Sequence, residues 1–133
     1  MNGEKNLKVL LKNMCPQLKK GEYVFCTIDS KKYRELDMLP IGLFQEEESV
    51  TVIVPKETAD TYSLPYSHLW ALITLSVHSD VTAVGLLAAV TGKLASAGIT
   101  VNVFSAFYHD HLFVLSHEAE RAMKLLNECS DST

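Results

Sequence analysis

The alternation of residues 69–78 most constrains what this chain can fold into. One set of alternate positions is entirely apolar, while the other begins at Trp70 and becomes polar toward His78. A strand with one apolar and one mixed face belongs to a sheet that helices cover on a single side. The pattern therefore predicts an α+β fold, with antiparallel sheets and helices on one face.

The residues after this strand predict a helix, a hairpin and a second helix. The apolar stripe of residues 82–97 is helical, and Gly98 follows it at the position where a glycine ends a helix. Residues 101–108 and 112–115 have the composition of a strand pair. The last helix is expected to open with Ser116 as its N-cap. The second half of the chain therefore has the order β-α-β-β-α.

The first half gives a similar order, after a leading helix. That helix is predicted from an apolar stripe at Leu7, Leu10, Leu11, Met14 and Leu18, and Pro16 should end it near Met14. Further elements are expected at residues 22–28 (strand), 30–40 (short helix or loop), 42–45 and 50–54 (hairpin) and 55–65 (short helix). Two βαββαβ units that share or exchange an edge explain this order, which is the ferredoxin-like arrangement. We expect an N-terminal unit at 1–66, with the leading helix, and a C-terminal unit at 67–133.

Composition excludes several classes of protein. Of the 133 residues, 47% are hydrophobic, so the chain can bury a core. The net charge of −4 argues against a nucleic-acid partner. No apolar run reaches the roughly 20 residues of a membrane helix, and no secretory signal precedes the first helix. Three dispersed cysteines suggest neither a disulfide framework nor a zinc site, so a cytoplasmic location is expected.

Charge is scarce in the middle of the second half. Between Ser67 and Asp110 only Asp80 and Lys93 are charged. A segment with so little charge should be covered on most sides, and in a small chain a second subunit can supply some of that cover. We therefore expect a homodimer.

The turn at residues 79–85 is the strongest candidate for a binding site. It lies between a strand and a helix, where free N–H groups and the helix dipole favour an anion such as a carboxylate. Asp80 is suited to an ammonium group, Ser79 and Thr82 to either charge, and Gly85 lets a ligand come close. The alternative is purely structural: Asp80 or Thr82 caps the helix, and Gly85 only permits close packing.

Two other clusters contain residues that could bind a metal or a cation. His109 and His111, with His78, suggest a metal or catalytic site, but a zinc site needs three or four ligands and Asp110 suits a hairpin turn. The acidic run 46–48 is suited to a cation or to a ligand's ammonium group, or else is a solvated turn. No nucleophile or phosphate-binding motif is present. Neither catalytic residues nor a metal site nor a cofactor is therefore predicted.

Residues 84–102 (VGLLAAVTGKLASAGITVN) resemble an ACT domain, with its Gly-Leu-Leu opening, its helix and its Gly-Ile before the next strand. Val84 stands where many ACT domains have proline. Residues 21–27, 44–48 and 108–114 resemble a narrower group of free-standing tandem ACT proteins. The resemblance implies two ferredoxin-like units and a regulatory protein, not an enzyme, that binds an amino acid or similar metabolite.

The resemblance also places Asn102 beside the turn. The expected ligand-binding residues are His78, Ser79, Asp80, Val81, Thr82, Ala83, Val84, Gly85 and Asn102. The expected function is ligand-dependent regulation through an interface, within the chain or between two chains. The alternatives are a dimerising module that docks on a partner enzyme without a ligand, and a small metal-dependent enzyme.

Overall fold

The computed structural model describes residues 6–76 and 85–131. The chain divides into two compact units. One is the continuous segment 21–70, and the other combines the described residues of segments 1–20 and 71–133. The leading segment thus belongs with the C-terminal residues rather than with the residues that immediately follow it.

The unit at 21–70 is a small sheet with two short helices. Its elements are β2 (Tyr23–Ile28), α2 (Ser30–Glu35), β3 (Gly42–Gln45), β4 (Val50–Pro55) and α3 (Lys56–Thr61). Strand β2 pairs antiparallel with β4 over its whole length, and β3 pairs antiparallel with the other edge of β4. Trp70 pairs with Tyr23 on the free edge of β2. The strand order is that of a ferredoxin-like sheet.

One face of this sheet forms the core of the unit. Alternate residues of β2 and β4 point to the same side and are buried against α3 and the segment after it. The buried core residues are Val24, Cys26, Ile28, Val50, Val52, Val54, Ala59 and Leu64. Because successive side chains alternate, Phe25 and Thr27 belong to the opposite face, where they pair with Ile53 and Thr51.

The second unit is a four-stranded sheet with three helices. Its elements are α1 (Leu7–Lys12), β1 (Pro16–Leu18), β5 (Trp70–Leu75, of which Ala71 onward belongs to this unit), α4 (Leu86–Ser96), β6 (Val101–Ser105), β7 (Asp110–Leu115), a 3₁₀ turn (Ser116–Glu118) and α5 (Ala119–Asp131). The strand order is β1-β5-β7-β6. Strand β1, which precedes β5 by more than fifty residues, occupies the edge where a ferredoxin-like unit has its last strand.

The core of the second unit joins the leading segment to the two long helices. Leu10 of α1 and Met14 are completely buried among residues of β5, β7, α4 and α5. The Ser130 hydroxyl donates a hydrogen bond of 2.8 Å to the carbonyl of Lys12, which connects the end of α5 to α1. The Asn6 side chain caps α1 by accepting from the N–H of Lys8 at 3.0 Å.

Several predicted boundaries need correction. Leu18 does not continue the helical stripe, because α1 ends at Lys12 and Leu18 pairs with Ile73 in β1. Helix α4 begins at Leu86 instead of near Thr82. Ser116 makes no side-chain cap: it starts the 3₁₀ turn, and its hydroxyl is buried without a hydrogen-bond partner among the described residues.

The α+β class and the two ferredoxin-like units are confirmed. Among the residues that the structure describes, no helix combines the length and the apolarity needed to span a bilayer.

Candidate functional site

Most of the predicted ligand-binding turn lies outside the described residues. This applies to His78, Ser79, Asp80, Val81, Thr82, Ala83 and Val84. Gly85 and Asn102 are described, and their positions define what the structure adds to that prediction.

Gly85 is the residue from which α4 starts. Its φ of 98° is in the left-handed region, which glycine adopts without the steric cost of a Cβ. Its carbonyl accepts the first helical hydrogen bond, from the N–H of Ala89 at 2.9 Å. A Cβ added at Gly85 would lie 3.3 Å from Cδ2 of Leu7. Because glycine has no side chain, Gly85 cannot cap the N–H groups of the first turn itself.

Asn102 is exposed on β6 and pairs with Phe113 of β7. Near the end of β5, Thr74 is hydrogen-bonded to His111, and His111 pairs with Phe104. Asn102 is therefore two residues, roughly 7 Å, further from the strand end that leads into the turn. Within this chain the register does not bring Asn102 level with that strand end.

The histidine cluster has a structural explanation at His111. Its Nδ1 is 3.0 Å from the Thr74 hydroxyl, and Thr74 is buried. Burial is the main cause that lowers the pKa of His111, and the nearby His109 and Lys19 lower it further, against the opposing effect of Asp110. No group of three metal-ligating side chains occurs in the described ranges, and His78 lies outside them.

Asp110 is not the turn residue that the sequence suggested. It is the first residue of β7, it pairs with Ser105, and it is buried. Its carboxylate accepts a hydrogen bond of 2.7 Å from the Ser105 hydroxyl. This bond closes the hairpin, because it joins the last residue of β6 to the first residue of β7.

The unit at 21–70 contains a groove that sequence reasoning did not identify. It is an open cavity of about 480 Å³ beside Phe25, Thr27 and Thr51, which belong to the sheet face opposite the core. Three of its lining residues form a ring cluster: Phe25 contacts Trp70 edge-on with centroids 5.3 Å apart, and His68 does so at 6.4 Å. We call this cavity the aromatic groove. Its remaining lining residues are Cys26, Thr27, Thr51, Pro65, Tyr66 and Ser67.

Two hydroxyl groups of the aromatic groove donate to carboxylates. The Tyr66 hydroxyl donates to Oδ1 of Asp60 at 2.9 Å, and the Thr51 hydroxyl donates to Oε1 of Glu46 at 2.5 Å. Hydrogen bonds from Lys56 and Tyr66 lower the pKa of Asp60, and the bond to Asp60 raises the pKa of Tyr66. Tyr66 is thereby attached to α3, which positions the segment 65–68 along the groove.

The acidic run 46–48, which by its sequence is suited to a cation, lies beside this groove. The aromatic residues of the groove, in contrast, are dispersed along the sequence. They come from β2 and from residues 66–70, more than forty residues apart. Only the pairing of Tyr23 with Trp70 brings these two parts of the chain together.

Comparison with known families agrees with this fold. Two models of the ACT domain match the chain in tandem, over residues 2–71 and 67–128. The chain therefore belongs to the ACT domain family, whose members are generally regulatory ligand-binding modules.

Solved structures of similar fold include three informative relatives. A protein of unknown function from Vibrio cholerae, described as a possible transport protein, is 44% identical, with a TM-score of 0.82 over 95% of this chain and 97% of that one. A protein from Agrobacterium tumefaciens is 16% identical, with a TM-score of 0.68 over 86% and 87%. The ligand-free regulatory subunit of aspartate kinase from Thermus thermophilus is 12% identical, with a TM-score of 0.68 over 89% and 98%. No curated protein matches the chain.

Proposed function

We propose that this chain is a regulatory protein that binds an amino acid, or a closely related metabolite, at the turn that leads into α4. The observation that carries the proposal is Gly85, which starts the helix in the left-handed conformation without a side chain for capping. The N–H groups of the first helical turn then favour a carboxylate. A regulatory subunit of aspartate kinase has a similar fold.

The proposed mechanism is a shift between arrangements of an interface. A ligand changes a conformational equilibrium only through its different affinities for the two states. A ligand bridging the turn and a facing ACT unit would stabilise one arrangement of the two. The facing unit belongs either to the same chain or to the other subunit of a homodimer. Asn102 is exposed, so it is available to contact a ligand held by another subunit.

A thermal-shift screen of the proteinogenic amino acids tests this proposal. A ligand at 100 times its Kd stabilises the folded state by about 2.7 kcal/mol, which for a chain of 133 residues raises the Tm by about 10 °C. We expect one amino acid to raise the Tm of the wild type and to lose that effect in Asp80→Ala and Gly85→Ala. Sedimentation of the same samples tests whether the ligand changes a monomer–dimer equilibrium.

Gly98→Ala is the matched control. Gly98 follows the same helix, has a φ of 79°, and has no atom within 4 Å of an added Cβ. Both glycine variants carry the cost of a left-handed alanine, about 1–2 kcal/mol. Only Gly85→Ala should abolish the ligand effect. An equal ligand effect in all variants would contradict the site, and no effect in any protein would contradict amino-acid sensing.

A module that docks on a partner without a ligand is the second candidate. It is favoured by exposed apolar side chains along β3 and the segment before it. The exposed fractions are 92% for Leu39, 48% for Ile41 and 65% for Phe44. Such a row at a sheet edge is typical of an interaction surface. The screen distinguishes the candidates, because docking alone predicts no shift with any metabolite.

A further inference from the structure

The aromatic groove has walls that suit a cation. The rings of Phe25 and Trp70 lie in edge-to-face contact there, with Tyr66 and His68 beside them. The faces of such rings carry partial negative charge and attract ammonium groups, with tryptophan the most effective. The cavity of about 480 Å³ is the size of a small-molecule site.

The polar groups of the groove favour a hydrogen-bond donor as the ligand. The hydroxyls of Thr51 and Tyr66 already donate their protons to Glu46 and Asp60. The Thr51 oxygen therefore has only lone pairs left to offer, so it can accept but not donate, whereas the Tyr66 oxygen already faces the Lys56 ammonium group. An ammonium group supplies several donors and no acceptor, whereas a carboxylate would meet lone pairs.

The charge of the surrounding unit acts in the same direction. Residues 21–70 carry nine acidic and four basic side chains, and neither lysine nor arginine lines the groove. Lys56, which lies near Tyr66, forms an ion pair of 3.0 Å with Asp60. The carboxylate of Glu46 is exposed, and its hydrogen bond with Thr51 fixes it beside the groove.

We propose that the aromatic groove binds a small organic ammonium ion that carries a flat apolar group. The flat group contacts Trp70 and Phe25, and the ammonium group donates toward Thr51 with Glu46 as its counter-charge. This site uses none of the residues of the turn before α4, so it is independent of the function proposed above.

The fluorescence of Trp70 provides a direct assay, because Trp70 is the single tryptophan of the chain. The probe is 2-phenylethylamine, titrated at about pH 8. Its N-acetyl derivative, without charge, and phenylacetate, with the opposite charge, are the comparison ligands. We expect saturable binding of the amine with a Kd of about 1 mM and at least tenfold weaker binding of both comparison ligands.

Two variants of the acidic run make a matched pair. Glu46→Gln removes the charge that is hydrogen-bonded to Thr51, while Glu48→Gln removes an exposed charge two residues away. We expect Glu46→Gln to weaken amine binding about fivefold and Glu48→Gln to change it less than twofold. Phe25→Leu, which keeps an apolar side chain but removes a ring, should also weaken binding.

Three results would overturn the proposal: no saturable change of fluorescence up to about 20 mM amine, equal binding of the amine and its N-acetyl derivative, or equal weakening by the two glutamate variants. Circular dichroism of each variant checks that it is folded. Gly85→Ala should leave amine binding intact, so the failure of either site is visible independently of the other.

Discussion

Replacement of Leu10 by alanine tests the assignment of the leading helix to the C-terminal unit. Leu10 is completely buried among residues of that unit. A fully buried leucine truncated to alanine costs the transfer of its methyl groups and the cavity that remains, together about 3 kcal/mol. For 133 residues the entropy of unfolding is about 0.28 kcal/mol per degree, so the Tm should fall by about 10 °C.

Hydrogen exchange shows where the stability is lost. A loss of 3 kcal/mol accelerates exchange from the affected opening about 150-fold. In Leu10→Ala we expect this acceleration in α4 and α5, with a smaller effect in β2 and β4. Leu64→Ala is the matched control, because Leu64 is buried in the core of the unit at 21–70. Leu64→Ala should accelerate exchange more in β2 and β4 than in α4 and α5. If Leu10→Ala instead loosened β2 and β4 while α5 stayed protected, the unit assignment would be refuted.

Three further predictions concern single residues. Folding lowers the pKa of His111 below 6.5. Below that pH the unfolded chain binds the proton more readily than the folded chain does, so the stability of the wild type falls as the pH decreases. Urea midpoints measured on either side of pH 6.5 should depend less on pH in His111→Gln than in the wild type. Gly92 lies in the exposed interior of α4 with no atom near an added Cβ, so Gly92→Ala should raise stability by about 1 kcal/mol. Gly98→Ala should lower stability by a similar amount, because Gly98 has a positive φ. If thermal unfolding shifted the Tm of both variants in the same direction, this argument from backbone conformation would be contradicted. Cys15 is exposed, whereas Cys26 is buried with a raised pKa, so a thiol reagent should label Cys15 rapidly and Cys26 only on unfolding; mass spectrometry of the labelled peptides identifies the order.

Local patterns predicted most elements but not their long-range pairing. The alternation in β4 and β5 and the stripe of α4 are properties of neighbouring residues, so they are visible in the sequence. Strand β1 is different: it has three residues, and its partner Leu75 is fifty-nine positions after Pro16. A stripe that fits a helical period placed Leu18 on α1, because nothing near Leu18 indicates the strand with which it pairs.

The candidate sites show the same limit. Gly85 was predicted as a ligand-binding residue from its position between a strand and a helix, and this stays a prediction; its left-handed conformation is an addition from the structure. The aromatic groove was missed, because Phe25, Thr51 and Trp70 acquire a common function only through cross-strand pairing. Asn102 was placed beside the turn by resemblance; the structure pairs it with Phe113, and because the turn lies outside the described residues its placement there stays a prediction.

The discontinuous C-terminal unit has a consequence for synthesis on the ribosome. Residues 6–20 are made before their packing partners, which in α5 extend to Leu126. At a translation rate of 5–20 residues per second, the leading segment waits roughly 5 to 20 s for those partners. The unit at 21–70 is continuous and is complete much earlier. During that interval Leu10 and Met14 lack the packing partners that bury them in the folded protein.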